Sequence, residues 1–66
     1  MKKYTKPFAV NGTHFRHKVE QLEDGRFRVT LQASPNHGEP NYYWVDRKVA
    51  TVTKEVAQEY LPEFTL

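Results

Sequence analysis

Histidine and serine are the residue types of this sequence that could take part in metal-dependent or nucleophilic chemistry. His14 and His17 are three residues apart, and strand geometry would point their rings to opposite faces, so they could not hold one metal ion together. Ser34 precedes His37 by three residues, a spacing too common to indicate a nucleophile with its base. The chain also lacks cysteine and a glycine-rich phosphate loop. We therefore predict no catalytic residue, no metal site and no cofactor, and hence a protein that is not an enzyme.

Cations in two alternating stretches indicate a different chemistry. Arg16 and Lys18 are separated by one residue, and so are Arg26 and Arg28. Two such cations on a strand project from the same face, where they could contact phosphates. An aromatic segment, residues 41–46, follows them and supplies rings that could stack on nucleic-acid bases.

The turns between the predicted strands decide how these side chains are arranged. Asn11-Gly12 separates two alternating segments and predicts a hairpin, because both central residues of a type I′ turn need a positive φ. The two-residue loop sets the pairs Val10 with Thr13, Phe8 with Phe15, Lys6 with His17, and Tyr4 with Val19.

A second turn, Glu23-Asp24-Gly25, predicts a hairpin closed by a glycine bulge. This three-residue loop sets the pairs Val19 with Val29, Gln21 with Phe27, His17 with Leu31, and Phe15 with Ala33. A two-residue loop through Asp24-Gly25 is the rival, but it would mix apolar and charged side chains on each face.

The two hairpin registers agree about which side chains share a face. The predicted apolar face holds Tyr4, Phe8, Val10, Phe15, Val19, Phe27, Val29, Leu31 and Ala33. The predicted polar face holds Thr5, Pro7, His14, Arg16, Lys18, Glu20, Arg26, Arg28, Thr30 and Gln32. This agreement predicts an antiparallel meander with Pro7 in an edge strand, where a missing N–H is tolerated.

A fourth strand and a helix complete the predicted fold. Residues 41–46 are predicted as the strand, whereas residues 47–52 fit either its extension or the approach to the helix. The helix begins after Thr53, a suitable N-cap, and ends before Pro62. Its predicted apolar stripe is Val56, Ala57, Tyr60 and Leu61, and Phe64 is expected to fold back onto the core. The predicted fold class is α+β, with residues 1–66 as a single domain: a meander of three or four strands with one C-terminal helix packed on one face.

A helix on the apolar face would leave the polar face open to solvent. The leading hypothesis is a small accessory or regulatory protein that binds DNA or RNA through this face. The predicted contact residues are Arg16, Lys18, Arg26, Arg28, Tyr43 and Trp44, with Tyr42 beside Trp44 as the alternative to Tyr43. The competing interpretation is an ordinary solvated face, with Glu20 partly neutralising Arg28 across the strands.

A protein partner is the other functional hypothesis. The chain would then be a modulator or inhibitor of a larger enzyme, using the same arginine and aromatic side chains. Glu55, Glu59 and Glu63 recur every four residues and would form either a solvated helix face or a decoy for a basic site. A homodimer paired through the first or the fourth strand is a third possibility, because edge strands invite pairing.

The stretch Asp24-Gly25-Arg26-Phe27-Arg28-Val29 and the helix after Thr53 are similar to the AP2-like DNA-binding domains at the N-termini of some tyrosine recombinases. The resemblance covers roughly residues 13–61 and rests on the order of strands and helix. The family inserts a three-stranded sheet into the major groove, which would make Arg16, Arg26 and Arg28 groove-facing. The additional N-terminal strand and the proline-rich loop depart from the family pattern.

Charge and composition bear on the partner and the compartment. Residues 1–33 carry seven Lys/Arg against three acids, or +4, and residues 34–66 carry three against five, or −2. The absence of cysteine favours a cytoplasmic setting. No apolar run approaches the roughly 20 residues of a membrane span, so we expect no membrane partner.

Overall fold

The computed structural model describes residues 2–62 and residue 66. It is an α+β arrangement, with an antiparallel open sheet of five strands and one short C-terminal helix. The elements are β1 (Lys2–Tyr4), β2 (Phe8–Val10), β3 (Thr13–Gln21), β4 (Phe27–Ser34), β5 (Val45–Val52) and α1 (Lys54–Tyr60). The strand order is β1-β3-β4-β5, with β2 also paired to β3. The predicted number of three or four strands was too low, because the first predicted strand is divided in two.

The β2–β3 hairpin has the predicted turn and register. Asn11 and Gly12 have φ values of 50° and 81°, as a type I′ turn requires. Phe8 pairs with Phe15, and Val10 pairs with Thr13. Local turn chemistry therefore fixes this hairpin.

The chain between β1 and β2 shifts the register by one residue. The backbone N–H of Thr5 donates to the carbonyl of His17 over 3.0 Å, and the N–H of His17 donates to Thr5 Oγ1 over 2.9 Å. Thr5 thus lies opposite His17, the place predicted for Lys6. Lys6 and Pro7 together occupy the space of one residue, which is the geometry of a bulge at a proline.

This shift moves Tyr4 to the other face of the sheet. Tyr4 pairs with Lys18 and not with Val19 as predicted, while Lys3 takes the place opposite Val19. Since the side-chain period of a strand is two, an offset of one residue reverses the face. The prediction of Tyr4 on the apolar face was wrong for this reason.

The β3–β4 hairpin agrees with the predicted three-residue loop. Val19 pairs with Val29, and Gln21 pairs with Phe27. The N–H of Leu22 donates to the Arg26 carbonyl over 2.8 Å and so closes the loop. Gly25, the last loop residue, has a φ of 87°, which a side chain would make unfavourable.

The fourth predicted strand lies further along the chain than expected. β5 spans Val45–Val52, so residues 47–52 are strand, whereas residues 41–44 precede it. Its pairing with β4 is irregular between Leu31 and Gln32, where Lys48 and Asp46 are the respective partners and Arg47 is the extra residue. Residues 41–44 were misplaced because the Trp44 ring packs on Arg16 at the polar face and the Tyr42 ring packs beside Trp44, tertiary contacts that strand propensity does not describe.

Helix α1 begins and ends as predicted. Thr53 caps it through Oγ1, which accepts a hydrogen bond from the N–H of Val56 over 3.4 Å. Ala57 and Leu61 are fully buried. The predicted stripe was too wide, because Val56 and Tyr60 remain 39% and 42% exposed. The expected return of Phe64 to the core lies outside the described residues.

The core lies under the helix at one end of the sheet. It consists of Val19, Phe27, Val29, Ala57 and Leu61, with Val52 and Leu66 packed against it. Val19 and Val29 are almost completely buried, and Arg28 projects from the opposite face and is exposed. The predicted separation of the two faces on β3 and β4 is therefore confirmed, but the polar face is less open than predicted, because Thr30 and Gln32 on it are buried. Within the described residues, no helix is long and apolar enough to cross a membrane.

Candidate binding surfaces

The polar face of the sheet is organised around Arg16. Its guanidinium carbon lies 4.2 Å from the centre of the Tyr4 ring and 4.3 Å from that of the Trp44 ring. Its Nε donates to Gln32 Oε1 over 2.8 Å. A planar cation placed against two aromatic rings gains cation–π stabilisation from both. Arg16 therefore already has partners within the chain.

A hydrogen-bond chain extends from Arg16 across three strands. Gln32 is buried, and its Nε2 donates to Asp46 Oδ1 over 2.8 Å. The amide thus connects Arg16 on β3 with Asp46 on β5. Buried polar groups need such partners to offset their desolvation, and this chain holds the start of β5 and the adjacent Trp44 against the sheet.

An aromatic cluster packs beside Trp44. The rings of His14 and His37 stack with 4.1 Å between their centres, and the His37 ring contacts Tyr42 at 4.7 Å and Trp44 at 5.7 Å. The loop before β5 therefore folds back onto the polar face. Two imidazoles fall short of the usual ligand set of a zinc site, and no group of three candidate metal ligands occurs among the described residues.

The other predicted contact cations differ in their availability. Lys18 Nζ lies 3.6 Å from Glu20 Oε1, and these side chains are only 17% and 19% exposed. Arg26 bonds to the carboxylate of Asp24 at 2.7 Å within the turn, and this side-chain hydrogen bond is the main cause that lowers the pKa of Asp24. Glu20 pairs with Arg28 in the β-ladder as predicted, but its carboxylate contacts Lys18.

The predicted site residues are not gathered in one place. Arg26 and Arg28 are at the turn end of β4, whereas Tyr43 and Trp44 lie beyond its other end. Ser34 lies six residues after Arg28 along the strand, a distance of about 20 Å. Tyr43 is 55% exposed. The structure thus joins Arg16 with Trp44 and leaves Arg28 and Tyr43 exposed at opposite ends.

The apolar face is only partly covered by the helix. Seven helical residues extend about 10 Å, whereas the eight residues of β4 extend about 27 Å. Helix α1 therefore shields one end of the sheet. Towards the other end, Phe8 and Val10 remain 43% and 50% exposed.

An open groove occupies the uncovered part of this face. It consists of two adjoining cavities of ≈ 410 and ≈ 320 Å³, which share His17 and Leu31. We call their combined lining the apolar groove: Phe8, Val10, Phe15, His17, Val29, Leu31, Lys48, Val49, Ala50 and Tyr60. Its surface is mostly apolar and open to solvent.

His17 lies in the middle of the apolar groove. Its ring contacts Phe8 at 6.0 Å and Tyr60 at 5.0 Å between ring centres. Burial lowers the pKa of His17, as expected for an imidazole that leaves water for an apolar site. The ring therefore acts as part of the apolar floor at neutral pH.

Sequence reasoning predicted this face as apolar but missed that much of it stays uncovered. The length of the helix relative to the strands could have shown this. A helix confined between Thr53 and Pro62 is too short for strands of eight or nine residues, as the rise per residue of each element shows.

Comparison with protein-family models, curated proteins and solved structures found no match to this chain.

Proposed function

We propose that this chain is a small cytoplasmic, non-enzymatic regulatory protein that binds a segment of another protein in the apolar groove. The observation that supports this proposal is the exposure of neighbouring large apolar side chains, including Phe8 (43%), Val10 (50%) and Tyr60 (42%). Isolated exposed apolar residues are normal, but a continuous patch with a polar surround is typical of an interaction surface.

The open shape of the groove favours a protein segment over a small molecule. Small-molecule sites usually enclose most of the ligand surface, whereas both cavities here face solvent broadly. A partner that inserts two or three apolar side chains would cover Phe8, Val10 and Leu31 together. Aromatic side chains such as Tyr60 are common in the parts of interfaces that contribute most to binding.

Lys48 indicates which charged group the proposed partner should carry. It is exposed at the rim of the groove, beside Ala50 and opposite Leu31. A carboxylate next to the inserted apolar side chains would pair with this ammonium group and fix the orientation of the partner. The proposed ligand is therefore an amphipathic segment with an acidic residue at its border.

Affinity capture from the source organism, with matched variants, tests this proposal. Val10→Asp places a charge in the groove, and Tyr43→Asp places the same charge at a similarly exposed site away from it. We expect the wild type and Tyr43→Asp to retain one partner that Val10→Asp loses. A partner retained equally by Val10→Asp, or failure to capture any partner, would contradict the proposal.

Nucleic-acid binding through the polar face is a second candidate, and the position of Tyr4 favours it. Tyr4 is 42% exposed and lies against Arg16, so an aromatic ring and a cation are adjacent on a sheet face that also presents Arg28. Such pairs stack bases and contact phosphates in single-strand binding proteins. An AP2-like insertion into a DNA groove would use Arg16, Arg26 and Arg28.

Titration of labelled DNA and RNA at two salt concentrations tests the second candidate. Arg26→Ala/Arg28→Ala should weaken binding and reduce its salt dependence. Arg47→Ala/Lys48→Ala removes the same charge from β5 and serves as the control. Absence of binding at low salt would reject this candidate, as would equal losses in the two double variants.

A further inference from the structure

The two edges of the sheet differ in how they are protected from pairing. One edge is formed by β1 and β2, each of three residues. Lys6 and Pro7 interrupt this edge, and proline cannot donate a ladder hydrogen bond. Short strands, a bulge and proline are the features by which natural sheets prevent their edges from pairing. This edge is therefore guarded.

The other edge, β5, lacks most of that protection. It has eight residues, seven of them exposed, and no proline or glycine. Arg47 disturbs its first half, but Lys48–Val52 pairs regularly with β4. Val49, Thr51 and Val52 are β-branched and suit a paired strand. Among the described residues, no strand pairs with the outer side of β5.

We propose that β5 is the interface for a second copy of this chain, with the two β5 strands antiparallel and centred near Ala50. Antiparallel pairing of one strand with itself is a closed two-fold contact. The dimer would expose only the guarded edges, so assembly would stop at two chains. Pairing of β5 with the β1–β2 edge of another copy would instead leave a free edge on both chains, so copies would add without limit. Pro7 opposes this pairing.

The charges of β5 are compatible with this alignment. Centring on Ala50 places Lys48 opposite Val52 of the second copy and Val49 opposite Thr51. No two like charges then face each other directly, which would destabilise a strand pair. Because paired residues project from the same face, both apolar grooves would lie on one side of a continuous sheet.

Concentration-dependent mass measurement with a charge variant tests the interface. The monomer mass is 7.8 kDa, and we expect a rise towards twice that value as the concentration approaches about 1 mM, the range of a weak complex. Ala50→Lys should keep the chain monomeric, because Ala50 is exposed and the substitution places two lysines directly opposite each other at the centre of the strand pair. Tyr43→Lys, at a 55% exposed site, should dimerise like the wild type.

A single-cysteine crosslink provides a second test that does not depend on strong association. The chain has no cysteine, so Ala50→Cys introduces only one. Directly opposed residues in antiparallel strands have Cβ atoms about 4.5–5.5 Å apart, close enough for a disulfide after slight adjustment. We expect Ala50→Cys to oxidise to a covalent dimer at least tenfold faster than Tyr43→Cys.

The outcomes separate this interface from the proposed groove function. A monomer at every concentration together with equal crosslinking rates overturns the β5 proposal. A dimer that Ala50→Lys leaves intact also overturns it. Neither result affects partner capture through Val10, which lies at the far side of the sheet.

Discussion

Arg16 has a different role from that of a freely available cation. Its position on the polar face follows from strand alternation, but its partners come from distant parts of the chain. The bulge at Pro7 places the Tyr4 ring on the same face as Arg16, and the loop before β5 places the Trp44 ring against it. An arginine suits this place because its planar guanidinium can stack on aromatic faces while its N–H groups donate hydrogen bonds.

Replacing Arg16 by alanine should destabilise the fold by about 1–3 kcal/mol. The variant loses two cation–π contacts, each worth about 0.5–1 kcal/mol at a partly exposed site, and leaves buried Gln32 without one partner. The free energy of unfolding in urea measures the loss, and the fluorescence of Trp44, the only tryptophan, should report a changed environment. Arg28→Ala is the control and should cost less than about 0.5 kcal/mol; equal costs would contradict the assigned role.

The pKa of His17 predicts a loss of stability on acidification. Burial lowers this pKa in the folded state, so the unfolded chain binds the proton more readily. The contribution of neutral His17 is present above the unfolded pKa of about 6.5. It is lost as the pH falls from there towards the folded pKa.

NMR titration and urea unfolding test this expectation. The imidazole signals of His17 should titrate below about pH 6.5. His17→Phe should flatten the change in unfolding free energy between about pH 7.5 and 5, with His14→Phe as the comparison. A His17 pKa at or above the value of a free imidazole would contradict the burial argument.

At the scale of elements, neighbouring residues determine the turns and the helix caps, whereas contacts across the sheet determine the edge strands. Asn11-Gly12 and the loop ending at Gly25 fix the hairpins through residues that accept positive φ. Thr53 and Pro62 similarly limit α1 by local geometry. The division of the first strand, in contrast, depends on how Thr5 bonds to His17 across the sheet.

The helix cap gives a direct prediction at this scale. Thr53→Ala removes the oxygen that accepts the N–H of Val56 and should cost about 0.5–2 kcal/mol. Thr53→Ser keeps this oxygen and should cost clearly less. Urea unfolding followed by circular dichroism measures both variants, and equal losses would show that the cap contributes little.

At the scale of the whole molecule, a small core supports a large sheet. The core is concentrated under α1, around Phe27 and Leu61, and the apolar groove shares Val29 with it but otherwise lies outside it. Domains of this size rarely have more than about 3–5 kcal/mol of stability from one core. Covering the groove with a partner or a second copy would therefore add burial that the single chain lacks.

Two phenylalanines should separate the core from the groove. Phe27 is 3% exposed. Its replacement by alanine should lower the free energy of unfolding by about 3–5 kcal/mol, enough to unfold most of the protein. Phe8 is 43% exposed, and its replacement by alanine should lower the free energy of unfolding by about 1 kcal/mol. Circular dichroism in urea distinguishes them, and similar losses would mean that the groove belongs to the stabilising core.

The sequence by itself determined the features that depend on neighbouring residues. The two hairpin registers, the separation of Val19 and Val29 from Arg28, and the ends of α1 follow from turn residues, alternation and caps. Residues 41–52 were predicted less well, because strand propensity could not show that the Trp44 ring packs on Arg16 or that β5 begins at Val45.

Only the tertiary structure decided which surfaces remain available. Three of the cations predicted to bind phosphates, Arg16, Lys18 and Arg26, are paired with Trp44, Glu20 and Asp24 respectively. Arg28 stays exposed, and so does part of the apolar face. The physical reason is that a side chain's direction is set within a few residues of the chain. Its covering depends on the length and packing of elements far away in sequence.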